Sequence, residues 1–195
     1  MKTVLFLCTH NSARSQMAEA FLNHLCGERF KAESAGVTPT RINPNVEKVM
    51  AEIGVPLEGH RSKSIVEFQG RTFNYVVTVC DQAKENCPFF PGEKEIHKPF
   101  QDPSSITGTE EEILANTRQI RDEIKEWIYE VFCKGNPDDQ VGLQNMKELL
   151  KKLLKKELSG AQAGIRTRVL RATAAYTRPD YTTWAQTTKI TRYFC

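Results

Sequence analysis

Thr3-Val4-Leu5-Phe6-Leu7-Cys8-Thr9-His10-Asn11-Ser12-Ala13-Arg14-Ser15 begins as a continuous apolar run, breaks into a short polar loop and re-emerges with helical periodicity. An unbroken run of β-branched and large apolar residues suits a strand buried on both faces, the kind found in parallel sheets. From Ser15 to Cys26 the residues Met17, Phe21, Leu22 and Leu25 fall on one helical face. Between strand and helix, Cys8 and Arg14 flank five residues. A loop in that position turns backbone N–H groups inward and ends on the positive pole of a helix, which makes a site for a tetrahedral oxyanion. Arg14 adds a two-pronged cationic clamp. The same field favours a thiolate, so Cys8 is expected to titrate low and act as a nucleophile, with Ser15 donating to its sulfur.

Outward from this stretch, the chain to residue 134 alternates short strand-like runs with helical segments, the pattern of helices packed on both faces of a parallel sheet. Four strands are expected, at about Thr3–Cys8, Phe30–Ser34, Tyr75–Val79 and Lys94–His97. A second helix over Asn45–Ile53 carries Val46, Val49, Met50 and Ile53 on one side, with Pro44 and Pro56 as punctuation. Thr109 and Glu112 form a capping box ahead of a long helix whose buried stripe is Ile113, Ile120, Ile124, Trp127, Ile128 and Val131. About 130 residues suffice for one core. Three segments follow: a domain over 1–134, a linker and basic amphipathic helix over 135–158, and a tail over 159–195 without periodicity that is expected to be unstructured. In the second segment Leu143, Met146, Leu149, Leu150, Leu153, Leu154 and Leu158 recur at helical spacing among lysines.

With 39% apolar and 26% charged residues, the 195-residue chain falls in the ordinary globular range. No apolar run reaches the roughly 20 residues of a membrane span, and no secretory signal is legible, so a cytoplasmic protein is expected. The net charge of +3 conceals an asymmetry: residues 1–135 carry 16 Lys and Arg against 19 Asp and Glu, and residues 136–195 carry 11 against 5. The basic pI therefore belongs to the C-terminal part, and neither a nucleic acid nor a membrane is expected as partner. Six cysteines in a cytosolic chain argue for catalytic or redox thiols over a disulfide framework.

The loop, together with Met17-Ala18-Glu19 and Glu33-Ser34-Ala35-Gly36, resembles the low-molecular-weight protein tyrosine phosphatase superfamily and, within it, the thioredoxin-coupled arsenate reductases. The resemblance covers about residues 2–132. It implies a phosphatase-like, flavodoxin-type α/β fold with a four-stranded parallel sheet. It also implies that Cys8 is the nucleophile, that Thr9, His10, Asn11, Ser12, Ala13 and Arg14 bind the substrate oxyanion, and that Ser15 activates the thiol. Asp102, before Pro103, stands where the superfamily keeps its general acid, and a carboxylic acid there would protonate the departing oxygen.

Cys80 and Cys87 separate the two branches. Cys80 closes the third strand, and if that strand neighbours the first, its sulfur lies at the same sheet edge as Cys8. Cys87 follows in the polar segment Asp81-Gln82-Ala83-Lys84-Glu85-Asn86-Cys87-Pro88. A phosphatase needs one cysteine. A reductase delivering two electrons to arsenate needs a second thiol, and a third if the disulfide is to be passed to an external reductant such as thioredoxin. Val77-Thr78-Val79-Cys80 with Cys87-Pro88 is similar to the run in thioredoxin-coupled arsenate reductases. That resemblance implies arsenate as substrate, thioredoxin as partner, no cofactor, and a weak phosphatase side activity.

Some reductases of this family hold a potassium ion through residues matching Asn11, Glu19 and Ser34 and a further aspartate. Here Lys63 stands at the last position, and its ammonium is expected to pair with Glu19 in the cation's place, leaving no bound metal. Cys26 reads as core packing on the first helix, and Cys133 and Cys195 have no evident partner. His10, His24, His60 and His97 lack ligand spacing. Two alternatives remain open on the sequence: a tyrosine phosphatase whose extra cysteines protect Cys8, and a non-enzymatic redox or oxyanion sensor acting through the basic helix.

Overall fold

A computed structural model of the protein describes residues 1–81, 90, 92–139, 141, 142 and 144–155. Its elements run β1 (Lys2–Cys8), α1 (Arg14–Cys26), β2 (Phe30–Gly36), α2 (Pro44–Ala51), β3 (Phe73–Thr78), β4 (Gly92–His97) and α3 (Glu110–Ile128). The four strands form one parallel sheet in the order β2-β1-β3-β4. β1 is thus an inner strand, and Val4 to Cys8 are all buried. Cys87 and the tail over 159–195 lie outside the described residues.

Alternation along β1 divides the core in two. Val4 and Phe6 share one face with Tyr75 and Val77 and pack against Met17, Phe21, Ile120 and Ile124, whereas Leu5, Leu7 and Val76 face Ile65, Phe68, Phe73 and Phe90. The helices begin as their caps dictate. Asn43 accepts from the Asn45 N–H ahead of Pro44 at the start of α2, and Thr109 and Glu112 close a reciprocal capping box on α3. The strands start or end within two residues of the expected limits. The stripe of α3 contains two polar residues that periodicity did not single out, Thr117 and Arg121, both buried. Arg121 donates to the Val49 carbonyl at 2.8 Å, tying α3 to α2.

Beyond Ile128 the helix widens into a π turn over Tyr129–Lys134. The changed pitch aims Phe132 into the core, where its ring meets those of Phe30, Trp127, Tyr75 and Phe6 at centroid separations of 5.4, 5.7, 6.0 and 6.2 Å. It also brings Cys133 to Cys26. The two form a disulfide with Cα atoms 5.7 Å apart, closing a sequence separation of 107 residues. This corrects the reading of Cys26 as plain core packing, of Cys133 as unpartnered, and of the cysteines as arguing against structural disulfides. Two residues that far apart in sequence give no local signal of meeting.

The contacts divide the chain into Met1–Lys147 and Glu148–Cys195. Within the first unit the linker is anchored: Asp138 accepts from Tyr75 Oη at 2.6 Å and from Lys94 Nζ at 2.7 Å. Burial, with Asp138 as acceptor, pushes the Tyr75 hydroxyl up to about 12. Gln144 brackets the backbone of His97 on β4, accepting from its N–H and donating to its carbonyl, which covers one point of an open sheet edge. Residues 144–155 are helical, and Met146, Leu149, Leu150, Leu153 and Leu154 are exposed. No described helix is long and apolar enough to cross a membrane.

Phe132 has no exposed surface and contacts four aromatic rings. Phe132→Ala should cost about 3–5 kcal/mol of stability, read as a lower urea midpoint; a shift equivalent to under about 1 kcal/mol would show that the π turn is not part of the core.

Candidate active site

The first nine residues of α1, Arg14 to Leu22, are all buried, polar residues included: Arg14, Ser15, Gln16 and Glu19 as well as Met17, Phe21 and Leu22. The face of this helix that would ordinarily meet solvent instead lines the region behind the Cys8–Arg14 loop. The loop is held from outside by its carbonyls. Thr9 O accepts from Thr38 N, His10 O from Thr40 N, and Ser12 O from Asn43 N, all at 2.9–3.0 Å. Asn11 O accepts from Gln16 Nε2 and Ser62 Oγ. With four successive carbonyls turned outward, the intervening N–H groups face the loop's interior. β2 passes close behind; a Cβ on Gly36 would stand 2.8 Å from Asn11 N and 2.9 Å from the Thr9 carbonyl oxygen, so only glycine lets the strand approach the loop.

Asn11 is the centre of this arrangement. It is fully buried and holds a left-handed backbone, φ 49°, a conformation asparagine tolerates better than most residues. Its backbone N–H donates to Cys8 Sγ at 3.0 Å. Its side-chain amide donates to Ser15 Oγ at 2.9 Å and to Ser34 Oγ at 2.8 Å, while Oδ1 accepts from Lys63 N and Gln16 Nε2. Because Ser15 Oγ already accepts from Asn11, its own proton is directed to Cys8 Sγ, 2.9 Å away. Ser34 in turn donates to Glu19 through a short hydrogen bond, and Lys63 Nζ donates to both Glu19 oxygens at 3.0 and 3.1 Å. The Lys63 side chain is only 16% exposed. A continuous chain of hydrogen bonds therefore links a buried ion pair to the sulfur, with the Asn11 amide donating toward both ends.

Cys8 is 3% exposed. Burial is the strongest influence on its thiol and pushes it above the ordinary thiol value, while hydrogen bonds from Ser15 and the Asn11 N–H pull it down and the Arg14 cation pulls less. The expectation of a low-titrating thiolate is corrected: in this buried site desolvation outweighs the donors and pushes the thiol up. The donors remain aimed at the sulfur and favour the anion as charge develops there.

Arg14 lies over the loop with Nη2 2.7 Å from Asp102 Oδ2 and Nη1 3.2 Å from the Phe100 carbonyl. Its Nε is buried without a partner among the described residues. Asp102 also caps the turn Pro103–Ser105 by accepting from Ser104 N, and its side chain is one-third exposed. Cys80 follows β3, next to β1, and is buried; Thr9 Oγ1 lies 3.5 Å from its sulfur. Cys8 is not part of a disulfide. Next to Cys80, Asp81 Oδ1 is 3.1 Å from His97 Nε2, and His97 Nδ1 is 2.8 Å from Thr78 Oγ1. An open cleft of about 370 Å³ adjoins the loop, lined by His10, Ser12, Thr40, Ile42, Asn43 and Ser104 among others.

Cys8, Thr9 to Ser15, Cys80 and Asp102 thus gather at the C-terminal edge of the sheet. Gln16, Ser62 and Asn43 also hold the loop and carried no sequence signal.

The model of the family described as low molecular weight phosphotyrosine protein phosphatase matches residues 3–131. The chain belongs to that family. Among curated relatives of this family member, the arsenate reductase of Halalkalibacterium halodurans is 41% identical over 124 residues, covering 63% of this chain and 89% of that protein. The arsenate reductase of Bacillus subtilis (strain 168) is 40% identical over the same length and the same shares. Among solved structures, an arsenate reductase in its phosphate binding state is similar with a TM-score of 0.56 at 28% identity, covering 69% of this chain and 98% of that one.

Two measurements test the site. Alkylation of Cys8 in the free protein should follow pH with a midpoint above that of an ordinary thiol, and Ser15→Ala should raise it further; a midpoint below the ordinary value would contradict the dominance of burial. Lys63→Met should leave Glu19 buried without its cation and lower stability, whereas a variant as stable as the parent by urea unfolding would show that the pair does not hold the loop.

Proposed function

We propose that the protein reduces arsenate to arsenite through Cys8, Cys80 and Cys87, with thioredoxin restoring the thiols. Arsenate enters the loop, its oxygens taken by the inward N–H groups and by Arg14, whose buried Nε has a donor to offer. Cys8 Sγ attacks arsenic as one oxygen leaves as water. The thiol proton and the oxygen's own proton account for that water, with Asp102 as the acid that delivers the proton. Cys80 Sγ then attacks Cys8 Sγ. The sulfur–arsenic bond breaks, its electron pair stays on arsenic, and arsenite departs with the Cys80 proton, leaving a Cys8–Cys80 disulfide. Cys87 attacks Cys80, Cys8 leaves and takes up the Cys87 proton, and a Cys80–Cys87 disulfide forms for thioredoxin to reduce.

The observation that carries this reading is the second buried thiol at the same sheet edge as the nucleophile, a group that phosphoryl hydrolysis does not use. The arsenate reductases among the relatives support it. Arsenate and phosphate are nearly isosteric, so slow hydrolysis of aryl phosphates through Cys8, Arg14 and Asp102 is part of the same proposal.

Cys80→Ser should abolish arsenate reduction in a thioredoxin-coupled assay while aryl-phosphate hydrolysis persists. Equal loss of both would return the chain to a hydrolase, and arsenate turnover driven equally well by glutathione without thioredoxin would remove the proposed partner.

A further inference from the structure

The Cys26–Cys133 disulfide lies apart from the chemistry just described. Cys26 closes α1 and Arg14 opens it, so about 18 Å of helix separates the clamp from the disulfide. At that end, Arg29 N is bonded to the Cys26 carbonyl and Lys2 N to the Arg29 carbonyl, which puts the bridge beside the start of β1, whereas Cys8 ends β1. No sulfur of the loop can exchange with it directly.

We propose that Cys26 and Cys133 are a second thiol–disulfide site, separate from the catalytic thiols, whose partners are small thiols and disulfides of the glutathione class and whose oxidation state sets the stability of the fold. Three features support it. The pair joins two elements whose Cα atoms already sit at the usual disulfide separation, 5.7 Å. The residues differ in access, Cys26 being 7% exposed and Cys133 half-buried, so an incoming sulfur meets Cys133 first. Arg29 Nη1 donates to the Cys133 carbonyl at 2.7 Å, and Arg29 N is bonded to the Cys26 carbonyl, so one residue ties both ends of the pair together at the backbone.

Oxidation proceeds by exchange. The Cys133 thiolate attacks one sulfur of a glutathione-class disulfide, forming a mixed disulfide and releasing one small thiolate. The Cys26 thiolate then attacks Cys133 Sγ and releases the second. The two protein thiols lose two electrons, the small disulfide gains them, and the two protons pass to the two released thiols; reduction is the reverse. The bond fixes the π turn that carries Phe132 into the core and closes a loop of 107 residues, so its gain is in restraining the unfolded chain.

The test uses the full chain carrying Cys8→Ser and Cys80→Ser, which removes any disulfide of the proposed catalytic cycle and makes the result independent of the arsenate reading. Samples equilibrated in glutathione disulfide or in excess reduced glutathione are alkylated, mapped by peptide mass and melted. The oxidised sample should show the peptides of Cys26 and Cys133 linked and should melt roughly 5–15 °C above the reduced one. Adding Cys133→Ser should give the lower melting temperature in both buffers. The proposal is overturned if both cysteines are alkylated in the oxidised sample, if the two buffers give the same melting temperature, or if the difference survives Cys133→Ser.

Discussion

The site depends on the buried side chain of Asn11. One amide group orients the Ser15 hydroxyl toward Cys8, fixes Ser34 toward Glu19, and accepts from two groups behind the loop, while its backbone N–H reaches the sulfur itself. All of these bonds except the part-buried one from Lys63 N are buried, and a buried donor or acceptor left unpaired costs about 1–3 kcal/mol. The left-handed backbone of Asn11 and the absence of a side chain at Gly36 are the geometric conditions under which one residue can meet all these partners.

From that constraint the division of labour in the fold follows. β1 and β3 bring Cys8 and Cys80 to one edge, α1 delivers Arg14 and the polar face behind the loop, and the turn after Phe100 brings Asp102 to Arg14. The Lys63–Glu19 pair supplies a fixed buried cation beneath the loop with its carboxylate already satisfied. Burial pushes the Cys8 thiol up, against the pull of the donors aimed at its sulfur.

What spacing and periodicity alone made legible was contiguous, whereas Asp102 and the pairing of Lys63 with Glu19 came through the family resemblance. Cys8 through Ser15 could be read because strand, loop and helix are consecutive and each has its own periodicity, and Thr109 with Glu112 because a capping box is a four-residue event. The illegible parts are those assembled across the chain. Ser62 and Lys63 reach Asn11 from some fifty residues away, His97 meets Asp81 through strand pairing, and Cys133 finds Cys26 only because a π turn re-aims the end of α3. The titration of Cys8 was misjudged for a related reason: the donors of the loop can be counted from its residues, but the depth of burial that outweighs them is a property of the whole fold.

The central claim is that two of the chain's own thiols supply the electrons that convert arsenate to arsenite, and a single turnover tests it most directly. Protein carrying the Cys26–Cys133 bridge but otherwise reduced, mixed with excess arsenate and no external reductant, should release one arsenite per chain with the loss of two titratable thiols. Release of no arsenite, or arsenite without loss of thiols, would contradict the account.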